Sequence, residues 1–192
     1  MNPHAETDYA FTGLEAAIVL IAFVVVAAVF SYVVLGAGFF TTQKAQETVH
    51  TSVQQASSTL DVVGNVYGTG TADAIQYVNF TISLAPGGTP VDFSKVTLTY
   101  SNATTVETLP QVEGDYPKEP TGSDWAVTKI MNDVGTNNKL LEAGEQFQIS
   151  AEPTSSIYPN DRFTLEIKPA VGAAFGITRS VPGGLNVVNL LY

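Results

Sequence analysis

The chain contains no cysteine, which excludes disulfide staples and thiol chemistry. Any stability it has outside a reducing compartment must come from packing or from assembly. Cations are also scarce: 8 Lys and Arg stand against 18 Asp and Glu, for a formal net charge of −10. Without a basic stripe to displace phosphate counterions, such a surface repels nucleic acid. Acidity of this kind most simply keeps a chain solvated. Histidine occurs only at His4 and His50, so no His cluster exists. Neither a nucleophilic triad nor a zinc site can be assembled from these residues. No glycine-rich phosphate loop is present, and the carboxylates are scattered. The expectation is a protein that is not an enzyme and needs no cofactor.

What the chain does have is one long apolar run. From Ala16 to Phe40 it reads AAIVLIAFVVVAAVFSYVVLGAGFF, and no charge appears between Glu15 and Lys44. A helix needs about 20 apolar residues to span a bilayer, and this run exceeds that. It is apolar on every side, so it belongs in lipid or inside a protein core. An ordinary secretory signal fits less well. Such signals have a basic start, an apolar core of about 7–15 residues and a small-residue cut site. Here Met1–Ala10 has no Lys or Arg, and the small residues Gly36, Ala37 and Gly38 run straight into Phe39 and Phe40.

The helical pattern outlasts the apolar run. Ala45, Val49, Val53, Ala56 and Leu60 recur at spacings of three and four, a narrow stripe at helical period. Asp61 and Gly64 are plausible terminators, so one helix is predicted from about Phe11 to Leu60. Gly36 and Gly38 could permit a bend or close helix packing. At the other end Thr12 and Glu15 form a Thr-x-x-Glu capping box directly before the apolar run.

Beyond Gly64 the period changes to alternation. Ala74–Leu84, Ser94–Tyr100, Trp125–Ile130, Phe147–Ser150 and Arg162–Lys168 are short, β-branched and aromatic, and Gly, Pro, Asn and Asp clusters separate them. Leu185, Val187, Val188, Leu190 and Leu191 complete the pattern as a last strand. The predicted class is α+β: a long N-terminal helix over residues 11–61, then an antiparallel sandwich or barrel of about seven strands over 62–192. Two N-glycosylation sequons occur in it, at Asn79 and Asn102. The stretch Asn132–Asn138, followed by Glu142 and Glu145, is rich in oxygen ligands. Asn132, Asp133, Asn137 and Glu142 could hold Ca²⁺ or a similar hard cation. The spacing is not that of an EF-hand, and such clusters are mostly plain turns.

The stretch Ala10–Glu15, the apolar run behind it and Thr41–Glu47 together resemble the N-terminal region of archaeal flagellins (archaellins), relatives of the type IV pilins. The resemblance covers roughly Ala10 to Val53. It implies a class III leader over residues 1–10, cut between Ala10 and Phe11 by a prepilin-type peptidase, with the apolar helix retained. Glu15 then becomes the fifth mature residue, where a pilin glutamate is thought to match a subunit's N-terminal amine; Thr12 and Glu15 serve capping, pairing or both. It further implies an immunoglobulin-like outer domain, N-glycosylation, and self-assembly through the helix into an extracellular archaellum filament for swimming. Sister archaellins are possible co-subunits. A transient pool in the cytoplasmic membrane would feed a membrane-embedded assembly platform and its ATPase. An adhesive archaeal pilin, or an uncleaved bitopic surface-binding protein, are the competing expectations.

Overall fold

The computed structural model describes residues 4–57, 59–135 and 138–192. The chain divides into two compact units, Met1–Thr51 and Ser52–Tyr192.

The first is built on a single helix, α1, over His4–Ser57. At a rise of about 1.5 Å per residue its 54 residues extend for roughly 80 Å. It is unbroken through Gly36 and Gly38, so neither glycine interrupts the helical hydrogen bonding. Both ends differ from the expected ones. The helix starts at His4 and not at the capping box, because His4–Thr12 contains neither proline nor glycine and nothing stops it from continuing outward. Thr12 therefore lies inside α1 and not at its N-cap. At the far end α1 stops at Ser57, and Leu60 leaves the helical stripe to open the first strand. Leu60 is 1 % exposed and pairs with Leu84, so burial in the second unit outweighs continued helical pattern. Gly64, at φ +80°, makes the turn after that strand.

Among the described residues twelve strands form the second unit. In chain order they are β1 (Leu60–Val62), β2 (Val66–Gly70), β3 (Ile75–Leu84), β4 (Val91–Asp92), β5 (Thr97–Asn102), β6 (Val106–Leu109), β7 (Trp125–Met131), β8 (Leu140–Leu141), β9 (Gln146–Ala151), β10 (Arg162–Lys168), β11 (Phe175–Ser180) and β12 (Val188–Leu191). One sheet runs β12-β2-β3-β9-β7, with β1 beside the C-terminal half of β3. The other runs β11-β10-β5-β6, and β4 pairs with β8 in a two-strand ladder. Every ladder is antiparallel. Tyr192 and Ser180 exchange backbone hydrogen bonds, which stitch the end of β12 to the edge strand β11 and join the two sheets.

Alternation decides which side chains enter the sandwich. On β3 the inward set is Ile75, Val78, Phe80, Ile82 and Leu84. Strict alternation from Ile75 would turn Tyr77 inward, but the β2–β3 register shifts between Thr69 and Gly70. That irregularity leaves Gln76 as the extra residue and turns Val78 inward. The opposing sheet contributes Leu98, Tyr100, Phe163, Leu165 and Ile167, none more than 1 % exposed. On β12 only Leu191 is buried among the apolar residues, while Val187 and Val188 face out.

Phe93 links the aromatic residues of this core. It sits in a 3₁₀ turn, Phe93–Lys95, whose N-cap Asp92 accepts the Ser94 N–H at 3.0 Å. Lys95 Nζ lies 2.8 Å from the Asp92 carboxylate and, with Ser94, holds that carboxyl below its ordinary pKa. The Phe93 ring meets Phe147 at 5.1 Å and Trp125 at 6.4 Å, both edge-to-face. Phe147 in turn meets Tyr116 at 6.0 Å. Replacing Phe93 by Ala should destabilise this unit by about 3–5 kcal/mol, measured by denaturant titration of the β-domain signal. An effect below that of an average surface substitution would mean the cluster is dispensable.

Burial raises the pKa of the Tyr100 and Tyr116 hydroxyls above the ordinary tyrosine value of 10.0. The folded state therefore holds these protons more tightly than the unfolded chain. Their contribution is fully present below about pH 10 and is lost as pH rises from there through the raised folded-state values. Alkaline unfolding should set in there, and the Tyr100→Phe, Tyr116→Phe double variant should show a shallower loss above about pH 10 by circular dichroism.

Candidate assembly surface

The side chains of α1 determine what this chain can do. Over Gly13–Val53 the mean hydropathy reaches 3.0 in its most apolar window, and none of that window is buried. Seventeen large apolar side chains between Leu14 and Phe40 stand exposed, among them Phe23, Phe30, Phe39 and Phe40. Covering such groups is worth about 1.5–3 kcal/mol each. The sum is on the order of tens of kcal/mol, which exceeds the ~5–15 kcal/mol that holds a typical domain folded. A surface of that size does not stay in water; lipid or other apolar helices must cover it.

Toward its C-terminal half the helix becomes polar, but several of its hydroxyls are spent internally. Thr41 donates to the Ala37 carbonyl at 2.8 Å and Thr42 to Gly38 at 2.9 Å. Thr48 and Thr51 do the same to Lys44 and Glu47. Each hydroxyl then enters an apolar environment without an orphaned donor. The Lys44–Glu47 ion pair at 2.6 Å is solvent-exposed on both sides and contributes little to stability.

One side of the helix is recessed. Phe30, Ser31, Val34, Leu35, Gly38, Phe39 and Thr42 line an open apolar hollow of about 460 Å³. A Cβ at Gly38 would meet nothing within 4 Å, so the fold of the single chain does not require glycine there. Glycine at an interior helical position costs about 1 kcal/mol relative to alanine. What it provides is a floor low enough for another helix backbone to approach. The sequence pointed to Gly36 and Gly38 for this role, but the aromatic walls of the hollow become visible only in three dimensions.

The other expected sites fall elsewhere. Ala10, Phe11, Thr12 and Glu15 all lie on α1, within its first turns. Asn79 is in the middle of β3, paired with Tyr67 and Ser150 on its two sides, and its amide donates to Thr69 Oγ1 at 3.1 Å. Asn102 ends β5 at a hairpin tip. Of the expected cation ligands, Asn137 lies outside the described residues. Asn132 donates weakly to the Gly144 carbonyl at 3.5 Å, and Asp133 accepts the Gly135 N–H at 3.0 Å. Glu142 offers its backbone N–H to Glu145 at 3.0 Å. Glu145, absent from that ligand set, organises the loop: it is 1 % exposed and also accepts the Val134 N–H at 2.6 Å. Both its oxygens are engaged by backbone donors, as a turn clamp requires. Among the described residues no group of three or more His, Asp or Glu side chains is placed to hold a metal ion.

A folded β-domain with a helix whose apolar length must be covered fits a structural subunit held through that helix, either in lipid or against other helices. The comparisons with known proteins agree. Residues 10–179 match the family model of archaeal-type flagellin. Probable flagellin 1 of Archaeoglobus fulgidus is 42 % identical over 97 % of this chain and 96 % of its own length. The 24 kDa flagellin of Methanospirillum hungatei is 91 % identical over 32 residues, all of that sequence and 17 % of this one. The solved archaeal flagellum of M. hungatei strain JF1 superposes with a TM-score of 0.73 at 36 % identity, over 94 % of this chain and 99 % of that one. The chain belongs to the archaeal-type flagellin family, whose members are structural filament proteins and not enzymes.

Filling the hollow is the direct test of its use. Gly38→Leu should leave the β-domain's thermal unfolding unchanged and abolish sedimentable polymer. Normal polymer from this variant would show that no helix approaches closely there.

Proposed function

We propose that the chain is a structural subunit of the archaeal flagellum filament, assembled through α1 and used for swimming. The observation that carries this is the wholly exposed apolar helix, in a chain alike over nearly its whole length to one from a solved archaeal flagellum. Copies associate head to tail, a heterologous contact that propagates as an open helix and does not close into a ring. The helices make the filament core and the β-domains its outer layer, outside the cell.

A prepilin-type peptidase first removes residues 1–10. The family match begins at residue 10, which fits a boundary at Ala10–Phe11. Cutting there moves the helix start to Phe11, so that Thr12 and Glu15 become first-turn residues able to cap it. It also leaves a new amine close to Glu15. A carboxylate carried into an apolar bundle is costly unless paired, and the amine of another subunit can pair it.

Before assembly α1 lies in the cytoplasmic membrane, where its apolar surface is already covered. Transfer into the filament then gains only helix packing, because lipid tails are as apolar as the neighbouring helices. Extraction therefore needs work from an ATPase acting through a membrane-embedded platform. Once the filament stands in water, dissociation would expose the whole apolar surface, and the polymer is correspondingly stable.

Mass spectrometry of the N-terminal peptide from surface appendages sheared off native cells tests this sequence of events. The expected first residue is Phe11. A chain beginning near Met1 would identify an uncleaved anchor, and one beginning beyond Phe40 an ordinary secreted domain; either result overturns the reading.

A further inference from the structure

Two strand edges of the β-domain, on β6 and β12, carry unpaired backbone groups. Other edges are covered or blunted in the ways that keep folded chains from pairing. Along β7, Pro110, Val112 and Lys118 bond to the backbone of Trp125 and Val127. On β11 the Arg179 guanidinium holds the Thr178 carbonyl at 2.8 Å, and β1 has only three residues and an exposed Asp61. We propose that the β6 edge of one copy pairs in parallel with the β12 edge of the next, joining β-domains side by side. This pairing rests on the polymerisation proposed above.

Hydrogen bonds at the strand ends fix which residues face outward. The Gly70 N–H bonds to the Val187 carbonyl, and Tyr192 exchanges bonds with Ser180. Alternation between these points turns the N–H and C=O groups of Val188 and Leu190 away from β2. On the other edge the Asn102 N–H bonds to the Thr105 carbonyl at 2.9 Å, so Val106 and Thr108 face away from β5. None of these four has a backbone partner on that side among the described residues. The two edges lie on opposite sides of the sandwich. β12 stands beside β11, and β6 leads to Gln111, which pairs with Trp125 of β7 in the same direction. Antiparallel steps from β12 through β2, β3 and β9 bring β7 parallel to β12, so β6 runs parallel to β12 as well.

Copies that point the same way along a polymer therefore meet β6 to β12, in parallel. The contact is heterologous, so it repeats without closing. In this pairing the Thr108 N–H donates to the Val188 carbonyl of the next copy, the Leu190 N–H to the Thr108 carbonyl and the Val188 N–H to the Val106 carbonyl. Val106 then lies beside Val187, and these two are 74 % and 71 % exposed in the single chain. Charge selects the occupant. With a net charge of −10, copies of this chain repel one another except where charge is absent. Residues 181–192 contain no charged side chain. On β6 the one charge, Glu107, is turned back onto its own chain, where it accepts the Thr154 N–H at 2.9 Å. Both edges are thus neutral and flanked by exposed β-branched side chains that suit a strand surface.

The chain has no cysteine of its own, so introduced cysteines report this contact without background. Neighbouring strands lie about 4.8 Å apart, within the roughly 4.4–6.8 Å that a disulfide bridges. Inside one copy β6 and β12 are four strand spacings apart, about 19 Å along the sheet, so a bond between them joins two copies. Filaments of the Val106→Cys, Val187→Cys chain, made in the native host and mildly oxidised, should run as a ladder of multimers without reductant and as monomer with it. Each single variant should stay monomeric. Filaments of normal appearance that yield only monomer from the double variant overturn the pairing and leave polymerisation through α1 standing. Natural chains that form no filament by electron microscopy overturn both. A charge pair decides the matter if the cysteine chain does not assemble. Val106→Lys with Val187→Lys should lower the yield of sedimentable polymer several-fold at low salt, and Val106→Lys with Val187→Glu should restore it, with the same β-domain unfolding in both. Equal yields from the two charge variants overturn the pairing.

Discussion

An α-helix with an apolar surface all the way round has no orientation in which it can face water. Much else in this chain answers to that constraint over Ala16–Phe40. It explains the division of labour between the two units. The β-domain stabilises itself with a core of its own, so its folding does not depend on the helix finding a partner. Conversely, the most apolar stretch of the helix remains exposed for whatever covers it next.

The polar half of α1 matters for the same reason. A helix that passes from an oily to a watery environment must not strand hydrogen-bonding groups at the crossing. Thr41 and Thr42 sit just past Phe40 and return their hydroxyls to the helix's own carbonyls. The first charged residue after them, Lys44, is paired with Glu47 on the exposed surface. Polarity is thus introduced gradually, with self-satisfied groups before charged ones.

Much of this was legible in the sequence, for reasons that particular residues make plain. The apolar helix and strand β10 were readable because each is long enough for its pattern to declare itself: a run of twenty-five residues with Ser31 as its polar interruption in one case, Arg162–Lys168 in the other. β4 and β8 have two residues each and so no period at all. Leu60 misled because its spacing continues the helical stripe, and only its pairing with Leu84 reveals the strand. Tyr77 and Val78 exchanged roles through a one-residue irregularity that alternation alone cannot register. The hollow on α1 and the clamp at Glu145 share a further cause. Each depends on side chains brought together by the fold, Phe30 with Phe39 in one case and Glu145 with Val134 in the other.

Gly38 has a consequence for how variation in such a chain is judged. It touches nothing in the single chain, and alanine there would strengthen an isolated helix. A screen that ranks variants by the melting of one molecule would therefore score its loss as an improvement. Selection acting on the polymer would score the same change as a defect. Residues of this kind are invisible to the energetics of the monomer, and their identity is a record of the neighbour that the molecule was shaped to meet.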